Sequence, residues 1–251
     1  MVAPPPLTPV PEDWNSALVV VAHPDDIEFC GAAGAVARWV RQGKTIVYAL
    51  LTSGEAGIDG VDPARTGPVR EREQLRSCAA VGVDRVEFLH RADGYLENGI
   101  ALREPIVRML RRYRPEVVVT LNYRPRWGHR GGELNQPDHV AAGHALVGAL
   151  SVAGNRWLFR EQVEQEGLAP WRGVRQILAA GSPAATHGIA IDETFDQATA
   201  ALAAHRVYNL GLRWRDFDPA RWLAAITGPT GARMGVGHAV AMEVVDLTAG
   251  A

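Results

Sequence analysis

The chain has 251 residues, 47% hydrophobic and 22% charged, a composition typical of a folded globular protein rather than a disordered one. Its formal net charge of −2 provides no strong basic field, so we expect no nucleic-acid partner. No stretch approaches the roughly 18 apolar residues of a membrane span, and two cysteines are too few for a disulfide framework. We therefore expect a cytoplasmic protein with one domain over residues 1–251.

Four apolar runs rich in β-branched residues predict buried strands, at residues 17–22, 45–51, 85–89 and 116–121. Segments of helical period lie between them, at residues 30–42, 68–81 and 100–114. This alternation predicts right-handed crossovers and a Rossmann-like α/β fold, with a doubly wound, mostly parallel sheet flanked by helices. In such sheets, binding sites form at the carboxyl ends of the strands.

The rest of the chain is predicted in less detail. A polar, Gly-rich loop after residue 121 leads to a predicted helix at 137–153. The elements predicted after it are strands at 174–180 and 187–191, a helix at 194–205 and a last strand at 239–245. We divide the domain into a Pro-rich arm at 1–16, a core at about 17–205 and a small irregular C-terminal extension at about 206–251.

The sequence AHPDDIE at residues 22–28 carries the first chemical signal, because one imidazole and two carboxylates directly follow the first predicted strand. Zinc takes His nitrogen and Asp oxygen, so His23 and Asp26 can supply two ligands. Asp25 can then accept a proton from a metal-bound water. The two aspartates could equally cap the next helix, and their spacing alone does not decide.

A third ligand has to come from a distant segment. The sequence QPDH at residues 136–139 opens the helix that follows the fourth strand. In a doubly wound sheet the loops after strands one and four flank the switch point, so the two segments can meet. We predict His139 as the third ligand.

AHPDDIEF, TSGEAG at residues 52–57 and PDH at 137–139 together resemble the PIG-L/LmbE-like family of zinc-dependent N-deacetylases, in order over about residues 18–155. A weaker likeness continues through residues 200–205. The family includes enzymes acting on N-acetylglucosaminyl-inositols, thiol-cofactor precursors and glycopeptide antibiotics. The resemblance implies a Zn²⁺ centre, with Fe²⁺ as an alternative metal. It implies that the ligands are His23, Asp26 and His139 and that the general base is Asp25.

The resemblance also implies that Arg70 and Asp93 hold substrate hydroxyls, and a guanidinium and a carboxylate suit a polyol in kind. An exposed helix arginine and an Asp-Gly turn are the plainer interpretations of these two residues. Glu28 and Glu55 are candidates for orienting the ligands through hydrogen bonds, as metal sites require. Either glutamate could instead be a solvated or capping residue.

Gln136 departs from the family, since many members have histidine at this position. Glutamine can donate a hydrogen bond to an oxyanion but cannot deliver a proton. Either Asp25 performs both proton transfers, or another histidine serves as the acid, with His129 and His205 as candidates. We also include His129 among the candidate substrate-binding residues, and Asp138 with Asp25 and Gln136 among the candidate catalytic ones.

These residues predict a zinc-dependent hydrolase that removes an N-acyl group, most simply acetyl, from a small-molecule amino sugar or glycoconjugate. One alternative is an amidase acting on a thiol conjugate or a longer N-acyl chain. Another is a catalytically silent module that binds metal or carbohydrate. Asp25 argues against the silent module, because a binding site needs no base beside its ligands. The sequence is compatible with a homo-oligomer.

Overall fold

The computed structural model of the protein describes residues 5–127, 132–212, 214 and 216–248. Within these residues the strands are β1 (Thr8–Pro9), β2 (Ser16–Val21), β3 (Thr45–Thr52), β4 (Arg85–Arg91), β5 (Val117–Leu121), β6 (Gln176–Ala180), β7 (His187–Ala190) and β8 (Ala239–Asp246). The α-helices are α1 (Asp26–Phe29), α2 (Ala32–Arg41), α3 (Pro63–Ala80), α4 (Ile100–Tyr113), α5 (Pro137–Ala153), α6 (Arg160–Glu164), α7 (Phe195–Ala204), α8 (Arg206–Gly211) and α9 (Pro219–Ala232). None of these helices is both long and apolar enough to cross a membrane.

The strands of the described chain form one sheet in the order β1-β7-β8-β6-β5-β2-β3-β4. Strand β8 runs antiparallel to β6 and β7, and the other neighbouring pairs are parallel. The predicted Rossmann-like, mostly parallel sheet is therefore confirmed. Strand β2 has β3 on one side and β5 on the other, so the loops after β2 and β5 flank the switch point, where such folds bind ligands.

The central strands are buried on both faces, which explains their unbroken apolar sequences. In β2, Val19 and Val21 point into a core that α2, α3 and α7 cover. Leu18 and Val20 point into the opposite core, beneath α4 and α5. Helices on both faces thus hold the switch-point strands in a rigid three-layer arrangement.

Two predicted helices have different boundaries in the structure. The predicted helix at 30–42 is instead two helices, α1 and α2, because Gly31 between them adopts a left-handed conformation with φ of 79°. Helix α3 begins at Pro63 rather than at residue 68. The Asp62 side chain accepts a hydrogen bond from the Ala64 backbone nitrogen at 2.8 Å, and a proline fits the first turn of a helix.

The prediction of an irregular C-terminal extension is wrong, although the last strand predicted at 239–245 is present as β8. The described residues of 206–248 are largely in regular elements. They contain α8, α9 and β8, and β8 is hydrogen-bonded on both sides, to β6 and β7. The apolar residues of β8 explain this position: Ala239, Val240 and Met242 are at most 2% exposed. One sheet therefore contains strands from both ends of the described chain, and the single-domain organisation stays a prediction.

The Pro-rich arm also belongs to the packed structure. Leu7, Val10 and Trp14 are buried, and β1 pairs with β7. Glu12 fastens the arm to α2 by accepting hydrogen bonds from the side chains of Arg38 and Trp39, the second at 2.8 Å. Burial by itself raises the pKa of Glu12, but the hydrogen bonds from Arg38 and its neighbours outweigh burial and hold the pKa below its ordinary value.

Replacing Glu12 by Gln should lower the free energy of unfolding by about 1–2 kcal/mol at neutral pH, because hydrogen bonds to a charged group are stronger than those to the neutral amide that replaces it. Because the folded-state pKa is depressed, the stabilisation is present above the unfolded pKa and is lost as the pH falls through the folded pKa. Urea unfolding of both proteins at about pH 7 and about pH 3 measures this, and the difference between them should shrink at the lower pH.

The control is Glu164→Gln, which removes an exposed pair with Arg160 on α6 and should change stability by less than about 0.5 kcal/mol. A Glu12→Gln effect that is equally large at both pH values would contradict the assignment to the carboxylate charge.

Candidate active site

The loop after β2 places His23 and Asp26 side by side at the switch point. The backbone nitrogen of His23 donates to Asp26 Oδ2 at 2.9 Å, which closes the turn. Asp26 Oδ1 is left facing the imidazole, 3.5 Å from His23 Nδ1. Both side chains are buried, so the carboxylate needs positive charge nearby.

His139 reaches the same carboxylate from the first turn of α5. Its Nε2 lies 3.0 Å from Asp26 Oδ1, yet this buried nitrogen has no hydrogen-bond partner. Its Nδ1 lies 2.9 Å from Asn135 Oδ1, an oxygen that can only accept, so Nδ1 carries the proton. The Asn135 amide nitrogen donates to the carbonyl oxygens of Asn122 and Arg124, which fixes the orientation of the amide. The lone pair of His139 Nε2 therefore faces an acceptor, an arrangement that a cation between the two atoms would satisfy.

The three side chains fit a divalent metal. Ligand atoms of His23, Asp26 and His139 all lie within 4.8 Å of one another. Two imidazole nitrogens and one carboxylate oxygen form a donor set of the kind that holds catalytic zinc and leaves a position open, and Fe²⁺ accepts the same donors. The structure thus brings together the three residues that the sequence predicts as ligands, and the identity of the metal stays a prediction.

Asp93 and Asp138 hold the other side of the His23 ring. His23 Nε2 lies 3.0 Å from Asp93 Oδ1 and 3.4 Å from Asp138 Oδ2. The two oxygens of Asp138 also accept from the backbone nitrogens of Gly94, at 2.8 Å, and Leu96, at 3.1 Å. Because backbone N–H groups already occupy Asp138, its geometry suits orienting His23 more than binding a second cation.

These contacts separate the two predicted roles. Asp93 lines the cavity that the ligands face, so it can touch a substrate as the sequence predicts, and its backbone nitrogen is held by Glu55 Oε1 at 2.9 Å. Asp138 is not among the described residues that line the cavity. Its contacts suit positioning of the His23 ring, and its predicted catalytic role stays a prediction.

Asp25 has an unusual backbone conformation, with φ of 88°. Aspartate tolerates this left-handed region better than most residues do. Its backbone nitrogen donates to Gln74 Oε1 at 2.9 Å, and Arg70 Nη2 donates to its Oδ1 at 3.0 Å. Burial raises the pKa of Asp25 to about 6, although the positive charge of Arg70 opposes the shift. The carboxyl group lines the cavity beside the ligands without being one of the three.

Arg70 binds the protein itself rather than presenting a free guanidinium. It is 2% exposed and donates to the carbonyl oxygens of Gly54, at 2.8 Å, and Pro24, at 2.6 Å, besides the Asp25 carboxylate. The approach requires glycine, because a Cβ at Gly54 or Gly57 would lie 2.2 or 2.3 Å from Arg70 Nη1. The predicted substrate-binding arginine therefore lines the cavity, but its three hydrogen bonds are made to the protein, one of them to the Asp25 carboxylate.

Gln74 and Glu28 extend this support. Gln74 is fully buried, and its amide nitrogen donates to Glu28 Oε1 at 2.9 Å while its amide oxygen holds Asp25. Glu28 also accepts from Ser77 Oγ at 2.5 Å. Sequence reasoning predicted a supporting role for Glu28 but missed Gln74. The signal was available, because Gln74 lies four residues after Arg70 and so shares its helix face.

The structure also addresses the candidate acids. Gln136 lines the cavity as predicted. His205 is fully buried, its Nε2 is 3.8 Å from Glu28 Oε1, and it is not among the described cavity-lining residues. It therefore cannot touch a substrate bound there. His129 lies outside the described residues, so its predicted roles stay predictions.

The three candidate ligands and Asp25, Arg70, Asp93 and Gln136 face one cavity of about 650 Å³, a size that suits a small-molecule ligand. Glu133, which sequence reasoning missed, lies at its wall and is exposed. The remaining wall is largely apolar, and its larger side chains are Phe29, Leu121, Trp127, Tyr208, Leu212, Trp214, Trp222, Ile226 and Val240.

The fold and the site define a class of protein: a doubly wound α/β domain whose switch point carries a buried two-histidine, one-aspartate centre beside a further carboxylate. The family model "GlcNAc-PI de-N-acetylase" (PIG-L) matches residues 18–150. This range is more than half of the chain and contains the three candidate ligands, and the chain belongs to this family.

Comparisons with single proteins agree with the family. The chain is 32% identical over 169 residues to 1D-myo-inositol 2-acetamido-2-deoxy-alpha-D-glucopyranoside deacetylase of Kineococcus radiotolerans. The aligned region covers 54% of this chain and 45% of that protein. The chain spans about half the length of the curated relatives it matches.

Two solved structures are similar in fold at lower identity. N,N'-diacetylchitobiose deacetylase from Pyrococcus horikoshii superposes with a TM-score of 0.81 at 19% identity, over 94% of this chain and 85% of that one. A 4-carboxy-2-hydroxymuconate hydratase from Pseudomonas putida KT2440 superposes with a TM-score of 0.72 at 19% identity, over 92% and 96%. The same fold thus accompanies two different reactions, so the chemistry has to be argued from the site.

Replacing His139 by Ala should remove most of the bound metal, because two ligands hold a divalent cation far more weakly than three. The measurement is metal content by mass spectrometry after equilibration with zinc and desalting. The control is His144→Ala on the same helix, which removes an exposed imidazole packed on Tyr123 and should leave metal content at the parent level. Parent-level zinc in the His139 variant would refute the ligand assignment.

Proposed function

We propose that this protein is a zinc-dependent hydrolase that removes an N-acyl group, most simply acetyl, from the nitrogen of an amino sugar or glycoconjugate. The observation that carries the proposal is Asp25: a buried carboxyl group next in sequence to the ligand Asp26, turned by a left-handed backbone into the same cavity. Membership of a de-N-acetylase family and the relatives that act on acetamido sugars support the substrate class.

The chemistry begins with water activation. A divalent metal bound at the site would polarise the amide carbonyl and lower the pKa of its bound water to about 7. Asp25 accepts a proton on the carboxylate oxygen that Arg70 does not bind. The Arg70 contact and the Gln74 contact to its backbone fix the direction in which this oxygen faces. Gln136 lines the same cavity and can donate a hydrogen bond to the developing oxyanion.

The leaving amine then needs a proton. Apart from the candidate ligands, the proton-carrying side chains described at the cavity include Asp25, Asp93, Glu133, Tyr208 and Cys30. Asp93 is bound to His23, and burial raises the pKa of the Cys30 thiol to about 12 and also raises the pKa of Tyr208, which makes both poor acids. We infer that Asp25 returns the proton it has accepted, with Glu133 as the rival donor.

Asp25→Asn should retain the bound metal and the fold but lose activity by roughly 100-fold or more, because an amide cannot accept the proton. Asparagine is the informative replacement, since it also tolerates positive φ, whereas alanine would add backbone strain. Deacetylation of an N-acetylglucosaminide by the metal-loaded variant, followed as release of free amine, measures the loss. A rate within about threefold of the parent would exclude Asp25 as the base.

Two further variants separate the remaining roles. If Asp25 performs both transfers and Gln136 serves the oxyanion, Gln136→Ala should lower kcat by about 10- to 1000-fold with little change in metal content. Glu133→Gln should then have an effect below about threefold. A severe loss in Glu133→Gln with a mild effect at Gln136 would instead assign proton delivery to Glu133.

Turnover distinguishes the proposed hydrolase from the catalytically silent binding module that is the alternative. Such a module would hold the metal and bind an N-acetylglucosaminide, but it would release no amine from any N-acylated sugar. Hydrolysis that disappears in Asp25→Asn would exclude it, because that substitution leaves the three candidate ligands in place.

A further inference from the structure

One face of α9 forms part of the apolar wall of the cavity. Trp222, Ile226 and Thr230 follow one another at four-residue spacing, so they form a row along the helix, and all three line the cavity. The adjacent row begins with Leu223 and Thr227, which are buried against the rest of the protein. The buried row holds the helix in place, and the cavity-facing row is half-buried and accessible to a ligand.

The wall is continuous with the candidate metal centre. Phe29 ends the short helix that begins at Asp26, and its ring centroid lies 5.9 Å from that of Trp222 and 6.1 Å from that of Trp214. A ligand whose amide lies at Asp26 could therefore extend along these rings without leaving the cavity.

Two polar groups on the α9 part of the wall, which could otherwise contact a second sugar, already donate hydrogen bonds within the protein. Trp222 Nε1 already donates to the Phe29 carbonyl oxygen at 2.9 Å, and Thr230 Oγ1 donates to the Ile226 carbonyl oxygen at 3.4 Å. Hydroxyl groups placed against this surface would lose hydrogen bonds to water without replacement. Alkyl or aryl carbon placed there would gain from leaving water.

The family model ends at residue 150, so α9 and Trp214 lie outside the matched region. We propose that the substrate carries an alkyl or aryl group that packs on the wall formed by Phe29, Trp214, Trp222 and Ile226. This group is either a longer N-acyl chain or an apolar aglycone of the sugar. The proposal rests on the proposed function, which it narrows to amphiphilic N-acylated amino sugars.

Two pairs of substrates distinguish the sources of the apolar group. One pair is methyl and octyl N-acetylglucosaminide, and the other is N-acetyl- and N-octanoyl-glucosamine, each assayed as kcat/KM for amine release by the zinc-loaded protein. Each methylene that leaves water contributes about fourfold, so we expect the octyl or octanoyl member of one pair to be preferred by about 30-fold or more. The pair that shows the preference identifies the position of the group.

Ile226→Ala should reduce that preference by about 3- to 10-fold, and Ile226→Asp should reduce it further, because a carboxylate opposes apolar contact. The matched controls are Leu75→Ala and Leu75→Asp, at an exposed leucine on α3 that does not line the cavity, and both should keep the parent preference. Thermal unfolding of every variant checks that the protein remains folded.

Binding of octyl and methyl β-glucoside, which have no amide, is measured in parallel by calorimetry. In one outcome the octyl compound binds more tightly than the methyl compound, by a smaller margin in Ile226→Ala, while no substrate is hydrolysed. That result would support binding of an apolar group by the wall and refute the proposed deacetylation. Hydrolysis without preference in either pair, together with equal binding of both glucosides, would refute the binding of an apolar group by the wall. The proposed function would be unaffected by that result.

Discussion

The carboxylate of Asp26 is the interaction on which the site depends. One oxygen closes the turn after β2 by accepting from the His23 backbone, and the other faces imidazole nitrogens of both His23 and His139. A single buried charge thus joins the loop after β2 to the helix after β5, the two segments that meet at the switch point.

Each of the two candidate histidine ligands is oriented by a side chain outside the ligand set. Asn135 fixes the His139 ring, and Asp138 fixes the His23 ring. Several buried carboxylates share this region with few permanent positive charges, an imbalance that a divalent cation would relieve. Orientation by these partners also limits which ring nitrogens can bind a metal, as supporting hydrogen bonds do in metal sites generally.

Pattern and spacing predicted the parallel sheet, its central strands and the convergence of His23, Asp26 and His139, since these depend on local periodicity and on the topology of doubly wound sheets. The roles of Arg70 and His205 could not be predicted in the same way. The Arg70 contacts depend on the space left by two distant glycines, and the complete burial of His205 follows from the packing of several helices. Helix α9 was missed because Pro229 and neighbouring glycines interrupt its helical pattern.

The position of β8 between β6 and β7 anchors the part of the cavity wall that α9 supplies. Helix α9 leads directly into β8, so the cavity-facing row of α9 is attached to an interior strand of the sheet rather than to a mobile loop. Residues before position 150 supply the candidate metal ligands and base, and most of the apolar wall comes from the segment after it. The two parts meet at the sheet and also at Phe29, which contacts Trp222. Because the candidate ligands and base lie before position 150 and most of the wall lies after it, the wall can differ between proteins that share the metal centre. A shared metal centre can in this way serve substrates with different apolar groups.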